Sequence, residues 1–369
     1  MRVLIAGGGV AGLETMLALH ALAENRVELT VIAPEDEFVY RPLAVNDSYA
    51  VGRARQVPLD SAARDVDAAY FPLTVEAIDA GKKLVSTTGG RRFEYDAMVL
   101  AVGAQAVRQV EHAMTWDDRV AAETIGGLLR DFEEGYARSL AVVIPPGPVW
   151  PLRAYELALL VRLQAEGMGI DVQTTIIAPE ASPLAILGHQ ALDVISNELE
   201  RAGVAVLSSD RAEVEHGHRA VVVLQPSGER LEVDRVLALP ALRGRRLAGV
   251  PTDPQGFIEI DEHCRAQRLH DVWAVGDGTA FPIKSGGFAA EQADVAAEDI
   301  AAASGAPVDR RSFDPTHHEE LIGLPAGPFL KAWLGEGDSE ELTTNIPMGV
   351  APILTYLKRD LEASWRGET

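Results

Sequence analysis

Three glycines close to the N-terminus have a spacing that favours contact with phosphate groups. They form the sequence Gly7-x-Gly9-x-x-Gly12, which follows a short apolar run and precedes a segment with helical periodicity. In a strand–turn–helix unit the first glycine permits the tight turn, the second lets a pyrophosphate approach the backbone, and the third lets helix and strand pack closely. Val10 and Ala11 would begin the helix, whose free N–H groups bind the pyrophosphate.

An acidic residue lies at the position in the sequence where a carboxylate would bind the ribose of a dinucleotide. A second apolar strand, at residues 27–32, leads to Glu35, about twenty residues past Gly12. A carboxylate at this distance accepts hydrogen bonds from the ribose hydroxyls. A loop that merely contains three glycines would not require the two strands, the helix and the acid. The N-terminal part is therefore predicted to bind a dinucleotide.

The bulk composition bounds the class of protein. A chain of 369 residues, 47% of them hydrophobic and 24% charged, predicts two or three ordinary globular domains. The net charge of -22 argues against nucleic-acid partners and anionic lipid surfaces. A single cysteine, Cys264, excludes an internal disulfide or a cysteine-based metal cluster. A core strand begins almost at the first residue and no run is long enough to span a membrane, so we expect a cytoplasmic protein.

An aromatic and basic stretch follows the second strand. It contains Phe38, Tyr40, Arg41 and Pro42, and the proline disfavours helix at Arg41, so the chain is expected to turn there. Phe38 and Tyr40 could face a cofactor ring or could pack in the core or a loop. Residue type alone does not separate these two interpretations.

Short alternating segments complete the first unit. Residues 70–95, which include Val75, predict a small antiparallel meander. Residues 95–104, which include Ala101 and Gly103, form an apolar run that is typical of a buried strand in a central parallel sheet.

A second unit starts near Trp116 and departs from the first at its phosphate loop. A helix at 121–138 and a buried strand at 140–144 lead to Pro145-Pro146-Gly147-Pro148-Val149-Trp150-Pro151. Prolines have no N–H and a fixed φ, so this loop cannot cradle a pyrophosphate as a glycine-rich turn does. The alternative is that it only closes a structural cleft. The remaining elements still follow a Rossmann-like order, with predicted helices at 153–166 and 189–202, strands at 172–177 and 204–207, a hairpin through 220–224, and Glu180 at the acidic position.

The chain then returns to the first unit. A strand at 271–275 ends in Gly276-Asp277, and Lys284 precedes a glycine-rich helix start at Gly286-Gly287. Asp277 could accept hydrogen bonds from a polyol or could cap a helix. The helix N-terminus is suited to partial negative charge.

The predicted fold class is therefore α/β, with two nested Rossmann-like domains and a C-terminal helical tail. The predicted segments are 1–110, 111–248, 249–312 and 313–369, of which the first and third form one domain. Apolar residues at helical spacing in the tail favour packing on its own domain. They could instead line the entrance for a lipophilic substrate or form a homodimer interface.

Three motifs in fixed order resemble the FAD-dependent pyridine nucleotide-disulfide oxidoreductase superfamily. They are residues 5–14, 98–104 and 272–277. The layout is most similar to sulfide:quinone oxidoreductases and type II NADH dehydrogenases, over roughly the first 300 residues. The resemblance implies FAD as cofactor and a glutathione-reductase-type arrangement of FAD- and NAD(P)-binding domains.

The resemblance also implies the residues of the site. Gly7, Gly9 and Gly12 would hold the pyrophosphate, Glu35 the adenosine ribose and Asp277 the ribityl chain, while the helix after Gly286-Gly287 would point at the pyrimidine edge of the flavin. The predicted FAD-binding set is Gly7, Gly9, Val10, Ala11, Gly12, Glu35, Arg41, Val75, Ala101, Gly103, Gly276, Asp277 and Gly287. The predicted catalytic residues, near the isoalloxazine or the mouth of its cleft, are Lys284, Tyr40 and Trp150.

Two departures from these relatives decide the predicted function. One cysteine cannot form a redox pair, so Cys264 is interpreted as inert rather than redox-active, and the second glycine fingerprint is missing. The prediction is an FAD-dependent oxidoreductase that passes electrons from a small donor to an acceptor such as a quinone. One alternative is an NAD(P)H dehydrogenase that binds the nucleotide weakly through Glu180 and the helix near Arg153. Another is a flavin-bearing electron-transfer or redox-sensing subunit that acts only with a partner protein.

Overall fold

A computed structural model describes residues 1–39, 56–179, 189–209, 211–215 and 217–313. The helices are α1 Val10–Ala23, α2 Leu59–Asp65, α3 Ala121–Glu133, α4 Leu152–Gly167, α5 His189–Ala202 and α6 Gly286–Ala303. The strands are β1 Arg2–Ala6, β2 Glu28–Ile32, β3 Glu37–Val39, β4 Gln56–Pro58, β5 Ala69–Phe71, β6 Val75–Asp79, β7 Leu84–Thr87, β8 Arg92–Glu94, β9 Ala97–Leu100, β10 Ala104–Val107, β11 Met114–Thr115, β12 Ser139–Val143, β13 Gln173–Ala178, β14 Val204–Ser208, β15 Arg211–Glu215, β16 Ala220–Gln225, β17 Arg230–Val233, β18 Arg235–Ala238, β19 Ala241–Gly244 and β20 Val272–Ala274.

The first parallel sheet has the strand order β20-β9-β1-β2-β5. All four strand pairings are parallel, and Ile5 of β1 lies between Val31 of β2 and Val99 of β9. Helices α1 and α6 pack together on one face, and the antiparallel strands β6, β7 and β8 cover the other. Because both faces are covered, β1 and β9 are apolar almost throughout, as expected for a parallel sheet. The meander predicted from residues 70–95 is these three strands.

The second parallel sheet has the order β11-β18-β12-β13-β14. Helices α3, α4 and α5 pack on one face in an extensive apolar core, while β15, β16 and β17 cover the other face. None of the helices described is long and apolar enough to cross a bilayer. Two parallel sheets, each covered on both faces, confirm the predicted α/β class.

Two elements differ from their predicted lengths for local reasons. The helix predicted over 121–138 ends at Glu133, because the chain turns at Gly135, whose φ of +81° is favourable only for glycine. The strand predicted over 95–104 covers only Ala97–Leu100. Gly103, with φ +65°, redirects the chain there, and the next residues form the antiparallel β10–β19 ribbon.

This β10–β19 ribbon lies near both of the predicted segment boundaries, at 110 and 248. Those boundaries stay predictions, and the predicted tail helix lies outside the described residues.

Candidate functional site

The glycine turn after β1 is fixed by backbone contacts too close for any side chain. Gly7 has a φ of +123°, and its N–H donates to the Ile32 carbonyl at 2.8 Å. A Cβ on Gly7 would lie 2.1 Å from the carbonyl oxygen of Ala101, and one on Gly12 would lie 2.0 Å from that of Gly7. Two of the three glycines are therefore required by the turn itself and by the packing of α1 on β1.

Gly9 differs from the other two glycines because the space beside it is open. A Cβ there would meet no atom within 4 Å. Gly9 is the N-cap of α1 and has no side-chain cap; the first intrahelical bond runs from Leu13 N to Gly9 O at 2.9 Å. The N–H groups of the first turn thus have no partner inside the helix. Open space and unpaired donors at a positive helix end fit the pyrophosphate of FAD.

The carboxyl ends of three neighbouring strands bring the predicted motifs to one edge of the first sheet. Ala101 N donates to Ala6 O at 2.8 Å, so the turn after β9 lies against the turn after β1. Val275 N donates to Leu100 O at 3.1 Å and places the turn after β20 beside it. Ligands of open parallel sheets bind at this edge.

Contacts between small residues join the motifs at that edge. Gly276 has a φ of +75°, and a Cβ built on it would lie 3.0 Å from Ala11 Cβ. A Cβ built on Gly278 would lie 3.3 Å from the carbonyl oxygen of Gly103. The structure therefore brings together the predicted residues Gly7, Gly9, Ala11, Gly12, Ala101, Gly103 and Gly276.

Asp277 lies on a single turn of 3-10 helix, Gly276–Gly278, which two buried polar side chains hold in place. Gln292 of α6 accepts from Gly276 N at 2.7 Å, and Thr279 Oγ1 donates to Gly276 O at 3.0 Å. Neither Gln292 nor Thr279 was among the site residues predicted from the sequence. The available signal was a glutamine on the otherwise apolar face of α6, where a buried amide needs a polar partner.

Lys284 also contacts the residues that hold this turn. Its side chain is buried, its Nζ donates to Thr279 O at 2.6 Å, and it lies 4.1 Å from the centre of the Phe257 ring. Burial lowers the pKa of Lys284 to about 8, against the opposing charges of Asp277 and Asp253. Lys284 thus lies beside the turn that carries Asp277, and its described hydrogen bond is to the protein backbone.

The proline-rich loop of the second unit contacts this region directly. Val149 forms a parallel backbone bridge with Ile283, in the segment that precedes α6. Their neighbours Trp150 and Lys284 are two of the predicted catalytic residues, so the bridge brings their backbones together. The Trp150 side chain is partly buried against the core of the second unit.

The start of α4, where a second pyrophosphate would bind, is capped differently from the start of α1. Its N-cap is Pro151, which has no N–H, and Arg153 pairs with Glu156 at 3.6 Å. Both side chains are largely buried, and burial raises the pKa of Glu156.

The remaining predicted residues lie past the end of β2, in the apolar cores of the first unit, or outside the described residues. Glu35 is exposed beyond β2, and its backbone carbonyl accepts from the Tyr70 hydroxyl. Val75 is buried in the core under the meander, and Phe38 packs in the core of the first unit. The predicted residues that fall outside the described residues are Tyr40, Arg41 and Glu180.

Cys264 is fully buried, and burial raises its pKa well above the usual range. A thiol in this state is a poor nucleophile. We expect Cys264→Ser to keep its FAD and its redox behaviour, with at most a modest loss of stability, and the native protein to resist alkylation by iodoacetamide. Rapid alkylation of the folded protein with loss of flavin reduction would contradict this expectation, and mass spectrometry after urea unfolding is the positive control.

A family model described as pyridine nucleotide-disulphide oxidoreductase matches residues 1–299. The chain therefore belongs to this family and is an FAD-dependent oxidoreductase, as predicted. It is 26% identical over 296 residues to an NADH oxidase of Methanocaldococcus jannaschii, covering 75% of this chain and 63% of that protein. It is 27% identical to the ferredoxin–NAD(+) reductase component of a biphenyl dioxygenase system of Paraburkholderia xenovorans, covering 77% and 69%. The fold is similar to that of a sulfide:quinone oxidoreductase of Aquifex aeolicus, with a TM-score of 0.72, 19% identity and coverage of 81% and 76%.

Proposed function

We propose that the flavin of this oxidoreductase takes electrons from a small donor other than a nicotinamide dinucleotide and passes them to a quinone-like acceptor. The observation that carries the proposal is the backbone bridge between Val149 and Ile283. The bridge joins the proline-rich loop, which occupies the place of a second phosphate-binding turn, to the segment that precedes α6 beside the flavin site.

The start of α4 supports a donor without a pyrophosphate. A bound pyrophosphate needs several N–H donors and a positive end of a helix. Four of the seven residues from Pro145 to Pro151 cannot donate, and the only cation of the first turn, Arg153, is paired with Glu156. The start of α4 would therefore not offer the pyrophosphate of a nicotinamide dinucleotide the contacts that the start of α1 offers to FAD.

The residues of the first site support a single bound FAD, which supplies the electron-transfer chemistry. The N-terminus of α1 would bind the pyrophosphate, Asp277 the ribityl hydroxyls and Glu35 the adenosine ribose. The N-terminus of α6, at Gly286-Gly287, would face the flavin and favour negative charge there. Gln292 and Lys284 would keep Asp277 in position through the turn that carries it.

An aromatic cluster supports an apolar, ring-shaped acceptor. Phe281 and Phe288 have ring centres 5.0 Å apart, and Phe313 lies 5.1 Å from Phe281 in an edge-on arrangement. The cluster adjoins the start of α6, where the flavin edge would lie. Aromatic rings bind flat apolar ligands by offset and edge contacts.

An anaerobic spectral titration tests the proposed donor class. The purified yellow protein is mixed in turn with NADH, NADPH and sulfide. Dithionite, which reduces any accessible flavin, is the control. We expect neither nicotinamide to bleach the flavin at a useful rate, whereas dithionite does. The reduced protein is then mixed with a soluble quinone, and rapid return of the oxidised spectrum is expected. Fast bleaching by NADH or NADPH would overturn the donor proposal.

A second candidate rests on the names of the relatives. An NADH oxidase and ferredoxin–NAD(+) reductases are similar to this chain, and the fold resembles a putidaredoxin reductase in complex with putidaredoxin, with a TM-score of 0.60 and 22% identity. These likenesses favour NAD(P)H as donor and a small electron-transfer protein as acceptor. Reduction by NADH in the same titration, without reoxidation by quinone, would support this candidate.

A further inference from the structure

Glu14 is a buried acid whose hydrogen-bonding neighbour is a second acid, Asp294. It lies on α1, two residues past Gly12, with 1% of its surface exposed. No N–H or hydroxyl donor lies within hydrogen-bonding distance of either carboxyl oxygen, so the hydrogen bond between Glu14 and the carboxyl group of Asp294 requires a proton on one of the two acids. Burying an ionised carboxylate without a partner is very costly, so such a group keeps its proton instead.

The charged groups that face Glu14 come from α6 and the segment after it. The charge that acts on Glu14 is that of Asp294 on α6, whose side chain is 14% exposed. Arg311 pairs with Asp294 at 3.3 Å and more closely with Glu298 at 2.8 Å, and Glu291 also acts on Arg311. One guanidinium thus serves several carboxyls. Strands β1 and β2 supply only apolar side chains to this core, namely Val3, Ile5, Leu29 and Val31.

The acid at the equivalent position of the second unit has a basic partner. Glu156 is the fifth residue of α4, as Glu14 is the fifth residue of α1. Glu156 has Arg153 at 3.6 Å, whereas the position in α1 that corresponds to Arg153 is Ala11. An arginine there would lie against Gly276 at the cofactor edge, since Ala11 Cβ is already within 3.0 Å of a Cβ built on Gly276. At the helix position that carries the neutralising cation in α4, the first unit therefore has a small apolar residue.

We propose that Glu14 and Asp294 are positioning residues that together hold one proton across the contact between α1 and α6. When the proton leaves to solvent, two carboxylates face each other between the helices whose N-termini would hold the two ends of FAD. Their repulsion separates α1 from α6 and loosens the cofactor. The inference rests on the cofactor site described above but not on the proposed donor or acceptor.

The direction of the pH effect follows from the two acids. Burial and the charge of Asp294 raise the pKa of Glu14 to about 9, and burial raises the pKa of Asp294 to about 6. Each acid keeps its proton longer in the folded than in the unfolded chain. The stability they contribute is therefore complete below the ordinary carboxyl pKa and is lost as the pH rises through the folded values.

The test compares wild-type holoprotein with Glu14→Gln, an uncharged replacement of nearly the same shape. The control is Glu24→Gln, since Glu24 is exposed just past the end of α1. Free FAD is followed by flavin fluorescence at about pH 6 and at about pH 10. For a proton lost with a pKa near 9, wild type and control should bind FAD about tenfold more weakly at the higher pH, because one pH unit beyond the pKa changes the protonated fraction about tenfold. Glu14→Gln should show no such loss.

A measurement on the wild type alone decides the outcome if Glu14→Gln does not fold. Infrared difference spectra should show the C=O stretching band of a protonated carboxylic acid at neutral pH, and this band should disappear above about pH 9. Absence of the band at neutral pH, or equal alkaline loss of FAD from wild type and Glu14→Gln, would overturn the proposal. Neither result would bear on whether nicotinamides reduce the flavin.

Discussion

The variant Gly12→Ala is expected to be unable to fold with FAD bound. Its new Cβ would lie 2.0 Å from Gly7 O and 2.9 Å from Gly7 C, and both atoms belong to the backbone of the same turn. A crowded side chain can change rotamer, whereas this turn is fixed by the Gly7 to Ile32 hydrogen bond. Overpacking a core costs about 1–3 kcal/mol when side chains can adjust, and we expect at least the upper end here. Soluble yield, flavin content and urea unfolding measure the effect.

The matched control for this variant is Gly9→Ala. A methyl group there would meet no protein atom within 4 Å, so the chain should fold and its apo form should unfold at nearly the wild-type urea concentration. The methyl would stand where the pyrophosphate approaches α1, so FAD affinity should fall by at least about tenfold. Wild-type FAD affinity in Gly9→Ala, or normal folding with FAD in Gly12→Ala, would contradict the assignment of this turn.

The second large effect is expected for Asp299, the fully buried carboxylate of α6. It accepts from Arg265 Nε at 2.6 Å, from Arg265 Nη2 at 2.9 Å and from Trp273 Nε1 at 2.9 Å. Asp299→Ala would leave the buried indole N–H without an acceptor and Arg265 without its anion. Since Arg265 is itself half exposed, we expect a loss of about 3 kcal/mol in the free energy of unfolding rather than the larger cost of a fully buried pair.

A surface pair gives the control for Asp299. Asp60→Ala removes an exposed ion pair with Arg64 and should change the free energy of unfolding by less than about 1 kcal/mol.

Burial acts to raise the pKa of Asp299, but the hydrogen bonds from Arg265 and Trp273 outweigh it and hold the pKa below its ordinary value. The stability that Asp299 contributes is thus present above the ordinary carboxyl pKa and is lost as the pH falls through the folded value. Urea unfolding should show the gap between wild type and Asp299→Ala closing in acid, and a gap independent of pH would argue against this role.

Local chemistry made part of the site predictable from the sequence. The glycine turn, the helix after it and the buried strands depend on residues close together in the chain, and their patterns have few structural alternatives. The α/β class and the binding of a dinucleotide followed from them, whereas FAD followed from the resemblance to the family. The end of α3 at Gly135 and the turn at Gly103 also have local causes, but a glycine does not reveal by its identity alone whether its φ is positive.

Contacts between distant residues were not predictable in this way. The bridge between Val149 and Ile283 joins the two units, and no periodicity in either segment indicates it. Lys284 was predicted to lie near the isoalloxazine, but its contacts with the Phe257 ring and with Thr279 O could not be read from the sequence. The opposition of Glu14 and Asp294 depends on the rotation of α1 against α6, which the sequence of either helix does not specify.

We propose that the described residues of this chain form one dinucleotide site, and that a proline-rich loop tied to the first unit lies in the place of a second. Equilibrium dialysis of the FAD-loaded protein against NADH tests it most directly, because it counts bound dinucleotides without requiring electron transfer. We expect one FAD per chain and no saturable binding of NADH. Stoichiometric, saturable binding of NADH alongside FAD would show that the start of α4 accepts a pyrophosphate after all.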